Sequence, residues 1–173
     1  MSQPVDQSGP VETMMASDAA SRMLGIELLD YGTGWARVQL TVRDDMVNGH
    51  GICHGGLIFS LADTGFACAC NSWGPVTVAA GADIVFVAPG RRGDVLTAEA
   101  RMRARYGRNG VYDVTVTRGD QLIAEFRGRS HEMRLPAHPQ AVERDDAHPV
   151  RERGGGNGRS RPVPLDDRVD RPE

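Results

Sequence analysis

One aspartate and one glycine-rich approach to a helix are the residues whose types and spacing suit chemistry. The run Leu57–Cys70, LIFSLADTGFACAC, is apolar on nearly every side and too long for a strand, so it reads as a buried helix. Asp63 sits in its middle, and no arginine within the helix can pair with it. An ionised carboxylate taken out of water without a partner is costly, so such a residue is paired, protonated or functional. A bland reading turns Asp63 toward a helix end, a water or a neighbouring chain. The approach to the helix is Asn48–Gly56, NGHGICHGG. Its glycines let backbone come close to a ligand, and the first N–H groups of a helix have no intrahelical partner. Such an end can hold an anion or polarise a carbonyl oxygen. A helix N-terminus that donates and a carboxylate within the same helix are two of the parts that acyl transfer needs.

Their separation matters. Gly55 and Asp63 are eight positions apart, about 12 Å along a helix at 1.5 Å per residue. A reacting carbonyl must lie about 3 Å from both groups. One helix cannot offer both to one carbonyl, whereas two antiparallel copies can. The spacing predicts a homodimer with two composite sites, each using the Gly55 end of one chain and Asp63 of the other.

Composition bounds the alternatives. The 173 residues carry 20 basic against 23 acidic side chains, a formal charge of −3, which is no electrostatic footprint for nucleic acid. All the basic residues except the histidines are arginine, so Schiff-base and Walker-type phosphate chemistry, which need lysine, are excluded. Cys53, Cys68 and Cys70 are an odd, sparse set, which fits a reduced cytoplasmic setting better than a disulfide framework. No apolar run is long enough for a membrane span, and residues 1–14 lack the basic start and apolar core of a signal peptide.

Domain limits follow from the same composition. From Pro136 to Glu173 the chain is rich in Pro, Arg and acidic residues and has no aromatic, so it reads as a disordered tail. Residues 1–10 read as loose also, leaving a folding unit at 11–135. Within that unit, Glu12–Leu24 has helical spacing, with Met15, Ala19, Ala20, Met23 and Leu24 on one side and Gly25 as a stop. Trp35–Val42 and Asp94–Tyr106 alternate as half-buried strands, and Val111–Arg118 and Gln121–Glu132 follow as a hairpin through Gly119. Val78–Val87, apolar and β-branched, suits a central strand. The order predicts an α+β fold: a curved antiparallel sheet wrapped around one buried helix.

The stretch Asn48–Asn71, NGHGICHGGLIFSLADTGFACACN, resembles the phenylacetate-degradation (PaaI-type) thioesterases of the hotdog superfamily, with Asn48 six positions before His54 and Asp63 nine after it. The resemblance implies a hotdog fold and hydrolysis of acyl-CoA thioesters, with aryl-acetyl groups such as hydroxyphenylacetyl preferred. It implies that Asp63 is the catalytic carboxylate, as nucleophile or as general base on water, and that the Gly55 N–H polarises the thioester carbonyl. His54 and Asn48 then line the site and orient thioester or water, with Gly56 and Thr64 beside the substrate and Thr64 next to the carboxylate. An apolar surround raises the pKa of Asp63, so a compensating donor, Asn48 of the partner, is expected. The resemblance also implies no metal, no cofactor beyond the substrate's coenzyme A, and dimers paired into tetramers.

Weaker signals surround this core. Arg91 and Arg92 can grip a CoA phosphate by charge-assisted bonds or simply form a solvated turn. Arg101, Arg103 and Arg105 form a basic row that suits either the nucleotide end of CoA or a wet face. Trp35 and Phe66 are candidates for an acyl pocket, though aromatic residues more often sit in cores. His50, Cys53 and His54 lack a matching second pair for metal. Two other classes share the fold: a hydratase or dehydratase with His54 as acid/base partner, and a non-catalytic acyl-CoA-binding protein.

Overall fold

The computed structural model describes residues 9–134. Expectations for the tail at 136–173 and for residues 1–8 lie outside the described residues. The chain forms α1 (Pro10–Ser17), α2 (Ala19–Leu24), β1 (Glu27–Gly32), β2 (Trp35–Thr41), a 3-10 turn (Asp44–Met46), α3 (Gly55–Asn71), β3 (Thr77–Phe86), β4 (Val95–Tyr106), β5 (Asn109–Arg118) and β6 (Gln121–Glu132). All six strands join one sheet, in the order β1-β2-β4-β5-β6-β3, with every neighbouring pair antiparallel. The sheet curves around α3, the α+β layout expected.

Alternation positions the core. Ala36, Val38, Leu40 and Val42 are buried, as are Leu96, Ala98 and Ala100 on the neighbouring strand. In β4 the register shifts between Met102 and Ala104, and beyond that bulge the alternation no longer buries its apolar members. Against this face α3 lays Ile58, Leu61, Ala62, Phe66 and Ala69.

Three expectations need correction. The helix expected over Glu12–Leu24 is two helices, broken at Asp18, whose extended backbone lets its side chain cap α2. The expected apolar side is not buried as a unit: Met23 is 70% exposed, and the buried residues of the pair are Val11 and Ser21. Gly25, at φ 76, closes α2 in the left-handed region as a helix stop requires. Second, β3 is an edge strand and not a central one, with Val78, Val85 and Phe86 exposed. Third, β1 has no bounds legible in the sequence; its alternation is weak and it joins the other edge of the sheet.

The break at Asp18 builds a small polar clasp. Asp18 Oδ2 accepts the Ser21 hydroxyl at 2.6 Å, and Ser21 Oγ lies 3.1 Å from Thr64 Oγ1 on α3. An ionised carboxylate can only accept, so Ser21 donates to Asp18 and Thr64 donates to Ser21. Burial opposes the charge on Asp18, yet the bonds from Ser21 hold its carboxyl below the usual range. Ser21 is 3% exposed and its hydroxyl is fully used. Replacing Ser21 by Ala is therefore expected to lower unfolding free energy by about 1–2 kcal/mol, measured by denaturant titration. An unchanged midpoint would show that the clasp contributes nothing.

Candidate active site

The loop before α3 is built by Asn48. Its Oδ1 accepts the N–H of His50 at 2.9 Å and of Ile52 at 3.4 Å, while its backbone N–H reaches the Ile52 carbonyl at 2.8 Å. Cys53 N–H bonds to the Gly90 carbonyl at 2.9 Å and His54 N–H to the Met46 carbonyl at 2.8 Å. The loop is thus fixed to its surroundings by backbone bonds. Asn48 first organises it and keeps its Nδ2 as a remaining donor.

The start of α3 is asymmetric in its use of donors. His54 is the cap: its Nδ1 accepts the Gly56 N–H at 3.1 Å, and its carbonyl accepts the Leu57 N–H at 2.9 Å. Among the described residues, the Gly55 N–H has no partner. Gly56, expected beside the substrate, has its N–H committed to His54. In a neutral His54 ring, Nδ1 as acceptor places the proton on Nε2.

Gly55 opens into a cleft of about 450 Å³ lined by Asn48, Ile52, Ile58, Phe86, Val87 and Pro89, among others. That volume lies within the range of small-molecule sites, and the lining is mostly apolar with a few convergent polar groups. Glycine keeps this position open: a Cβ here would lie 3.1 Å from Phe86 Cζ, tight enough that the ring would have to shift by a few tenths of an ångström.

Asp63 lies elsewhere in the same chain. It is half-buried, lacks a hydrogen bond or ion pair among the described residues, and does not line the cleft that holds Gly55 and Asn48. Burial holds its carboxyl above the ordinary carboxylate pKa. The expected all-round burial of α3 is not observed. Ser60, Asp63 and Ala67 are only partly buried, because no layer of this chain covers that side of the helix. Thr64 does not support the carboxylate next to it: neighbours on a helix point about 100° apart, and its hydroxyl turns to Ser21.

The remaining candidates sort by their partners. Arg91 and Arg92 are exposed on the turn that follows Pro89, with Arg92 3.5 Å from Asp44. The basic row is neutralised locally: Arg101 pairs with Glu99, Arg103 with Asp113, and Arg105 with Glu132. Neither expected pocket aromatic lines the cleft. Trp35 lies under Arg101, and Phe66 is core, packed on Tyr112 and Phe126. Cys68 and Cys70 are buried thiols, which burial pushes up to about 12. Among the described residues, no group of three His, Cys, Asp or Glu side chains is placed to hold a metal, and no helix is long and apolar enough to cross a membrane.

Phe86 is the cleft residue that sequence reading missed. It sits inside the apolar run of β3 with nothing local to single it out, and only the sheet brings it over Gly55.

Comparison with known proteins gives the family and the fold. The thioesterase superfamily model matches residues 50–125, spanning the helix start, Asp63 and the cleft strand. Acyl-coenzyme A thioesterase PaaI of Escherichia coli is 46% identical over 121 residues, covering 69% of this chain and 86% of that protein. The solved structure of E. coli PaaI, from the phenylacetic acid degradation operon, superposes with a TM-score of 0.71 at 44% identity, covering 72% of this chain and 91% of that one. A Streptococcus mutans protein solved bound to acetyl-CoA matches with a TM-score of 0.60 at 28% identity, covering 62% of this chain and 88% of that one.

Proposed function

Since the chain belongs to the thioesterase superfamily, as a PaaI-like hotdog thioesterase, we propose that it hydrolyses aryl-acetyl-CoA thioesters at two sites shared between subunits of a homodimer. Hydrolysis of acyl-CoA to free acid and coenzyme A is the activity of the family. The acyl preference, the site residues and the assembly are the proposal. One observation carries it: the helix that ends in a free Gly55 N–H also holds an unpartnered, half-buried Asp63 that cannot reach the same carbonyl.

A second copy supplies what is missing. The open side of α3 places Ser60 and Ala67 around Asp63, small residues that admit another helix. β3 leaves an uncovered edge with Val78 and Val85 exposed, and such an edge invites pairing. Two α3 helices packed antiparallel at about 8–10 Å between axes bring Gly55 of one subunit beside Asp63 of the other. Asn48 Nδ2 is then a donor available to the partner's carboxylate. Two such dimers pairing into a tetramer is the assembly the resemblance implies.

At this composite site the Gly55 N–H donates to the thioester carbonyl oxygen. Asp63 either takes a proton from an attacking water or attacks the carbonyl carbon itself. In both routes the tetrahedral intermediate expels the coenzyme A thiolate. In the second, water then hydrolyses the acyl-aspartate, so both routes consume one water and release one acid. His54 and Asn48 line the path, and Arg91 and Arg92 offer charge to the phosphates at the mouth of the cleft. No cofactor beyond the coenzyme A of the substrate enters, and the setting is the reducing cytoplasm, where three buried thiols stay free.

A panel of acyl-CoA thioesters scored by thiol release tests the reading. Phenylacetyl-CoA and hydroxyphenylacetyl-CoA are expected to exceed acetyl-CoA and long-chain acyl-CoA by roughly tenfold or more in kcat/KM. A flat profile or a long-chain optimum would overturn the aryl-acetyl preference. Turnover of enoyl thioesters without free thiol would point instead to the hydratase class.

A further inference from the structure

We propose that Phe86 is the specificity-determining residue of the site, packing its ring against the acyl group next to the thioester carbonyl. The inference rests on the composite-site reading and adds a residue to it. A Cβ built on Gly55 would meet Phe86 Cζ at 3.1 Å and both Cε atoms at 3.4 Å, so it would stand over Cζ and the outer end of the ring lays one face across the glycine. Phe86 is 51% exposed, unusual for the aromatic residue nearest the only free N–H of the helix start among the described residues. Its neighbours in the cleft are apolar: Ile52, Ile58 and Val87.

The chain direction says which end of the substrate meets Phe86. Phe86, Val87, Ala88 and Pro89 all line the cleft, and Arg91 and Arg92 follow at once. Phe86 to Arg91 is five residues, a reach of at most about 17 Å. The strip therefore runs from an aromatic ring beside the oxyanion donor to a basic turn that suits phosphate. A thioester laid along it puts its nucleotide end at the arginines and its acyl end at Phe86. In an aryl-acetyl group one methylene joins the ring to the carbonyl. With that carbonyl on Gly55, the ring falls within the range of an edge-to-face or offset pair, centroids about 4.5–7 Å apart. Gly55 and Phe86 are then one device: glycine at the helix start makes room for the ring that selects the acyl group.

The test compares wild type with Phe86→Leu on phenylacetyl-CoA, cyclohexylacetyl-CoA and acetyl-CoA. Leucine keeps apolar bulk and removes the ring faces. The expected result is a loss of about tenfold in kcat/KM for phenylacetyl-CoA, a smaller loss for cyclohexylacetyl-CoA, and less than about twofold for acetyl-CoA. An equal loss on all three would move Phe86 to the coenzyme A arm or to the subunit contact and overturn the proposal. So would no loss at all. Size-exclusion chromatography of the variant reports separately on assembly. The ratio between substrates tests Phe86 whatever the wild-type preference is, whereas a wild type that does not favour phenylacetyl-CoA over acetyl-CoA counts against the aryl-acetyl reading itself.

Discussion

Asp63→Asn is expected to lower kcat for thioester hydrolysis by about 10²–10⁴ while leaving the fold intact. Asparagine keeps the shape of the side chain and loses both chemical capacities, since it neither takes a proton at neutral pH nor forms an acyl intermediate. The Gly55 donor survives the change, so residual turnover reflects carbonyl polarisation alone. Burial holds Asp63 above its ordinary value, and the active form is the ionised one. In the wild type, activity is therefore lost as pH falls through this raised pKa. The acid limb of kcat/KM lies above the ordinary carboxylate pKa of about 4. The stability effect has the opposite sign. A carboxylate whose pKa is raised on folding holds its proton more tightly in the folded state. Stability falls as pH rises from the unfolded value through the folded one. Asparagine is neutral throughout, so the variant's Tm at pH 7 should equal or exceed that of the wild type. Substantial turnover in the variant would remove Asp63 from the mechanism, and lost activity with a depressed Tm would make its role structural.

That such a residue was legible at all comes from its conflict with its surroundings. Asp63 stands out in LIFSLADTGFACAC because a charge contradicts an apolar helix, and a local contradiction is visible without coordinates. The strands were legible for the complementary reason. In Trp35–Val42 one face is buried and one is wet, so the period of two is written plainly, and Ala36, Val38, Leu40 and Val42 all enter the core. β3 was misplaced by the same rule. Its continuous apolar run reads as burial on both faces, yet in a single chain it is an edge. Apolar patterning marks surface that suits burial, and the subunit contact proposed above is what would bury this run. The break at Asp18 was hidden because the helical period runs on across it, although an aspartate ahead of Ala19-Ala20-Ser21 is an N-cap pattern.

Residues whose roles depend on distant contacts were not legible. Nothing near Thr64 announces Ser21, 43 positions away, as the partner of its hydroxyl. Nothing near Phe86 announces Gly55. Trp35 and Phe66 were reasonable aromatic candidates from the sequence, but one covers the outer side of the sheet beside Arg101 and the other fills the core. The helix-start donors show the same limit in finer detail. Sequence alone treats Gly55 and Gly56 alike, and only the turn of the His54 ring takes one N–H and leaves the other.

Mixing two inactive variants should restore activity. Asp63→Ala removes the carboxylate. Gly55→Val forces a branched side chain into space where even a Cβ lies 3.1 Å from Phe86, displacing the ring or the helix start. Each variant alone has two dead sites per dimer. In a mixed dimer, one site combines Gly55 of the first subunit with Asp63 of the second and is whole, while the other carries both lesions. Unfolding and refolding an equimolar mixture yields mixed dimers in about half the population, each with one working site. Roughly a quarter of wild-type specific activity should therefore return if subunits pair without bias. A site contained within one chain gives a different number. Every subunit would then carry one lesion in its own site, and mixing would restore nothing. Tagging the two variants differently and isolating the mixed dimer sharpens the contrast to about half against none. The outcome turns on the separation along α3, since eight residues are too long a span for one carbonyl to touch both Gly55 and Asp63 of the same helix.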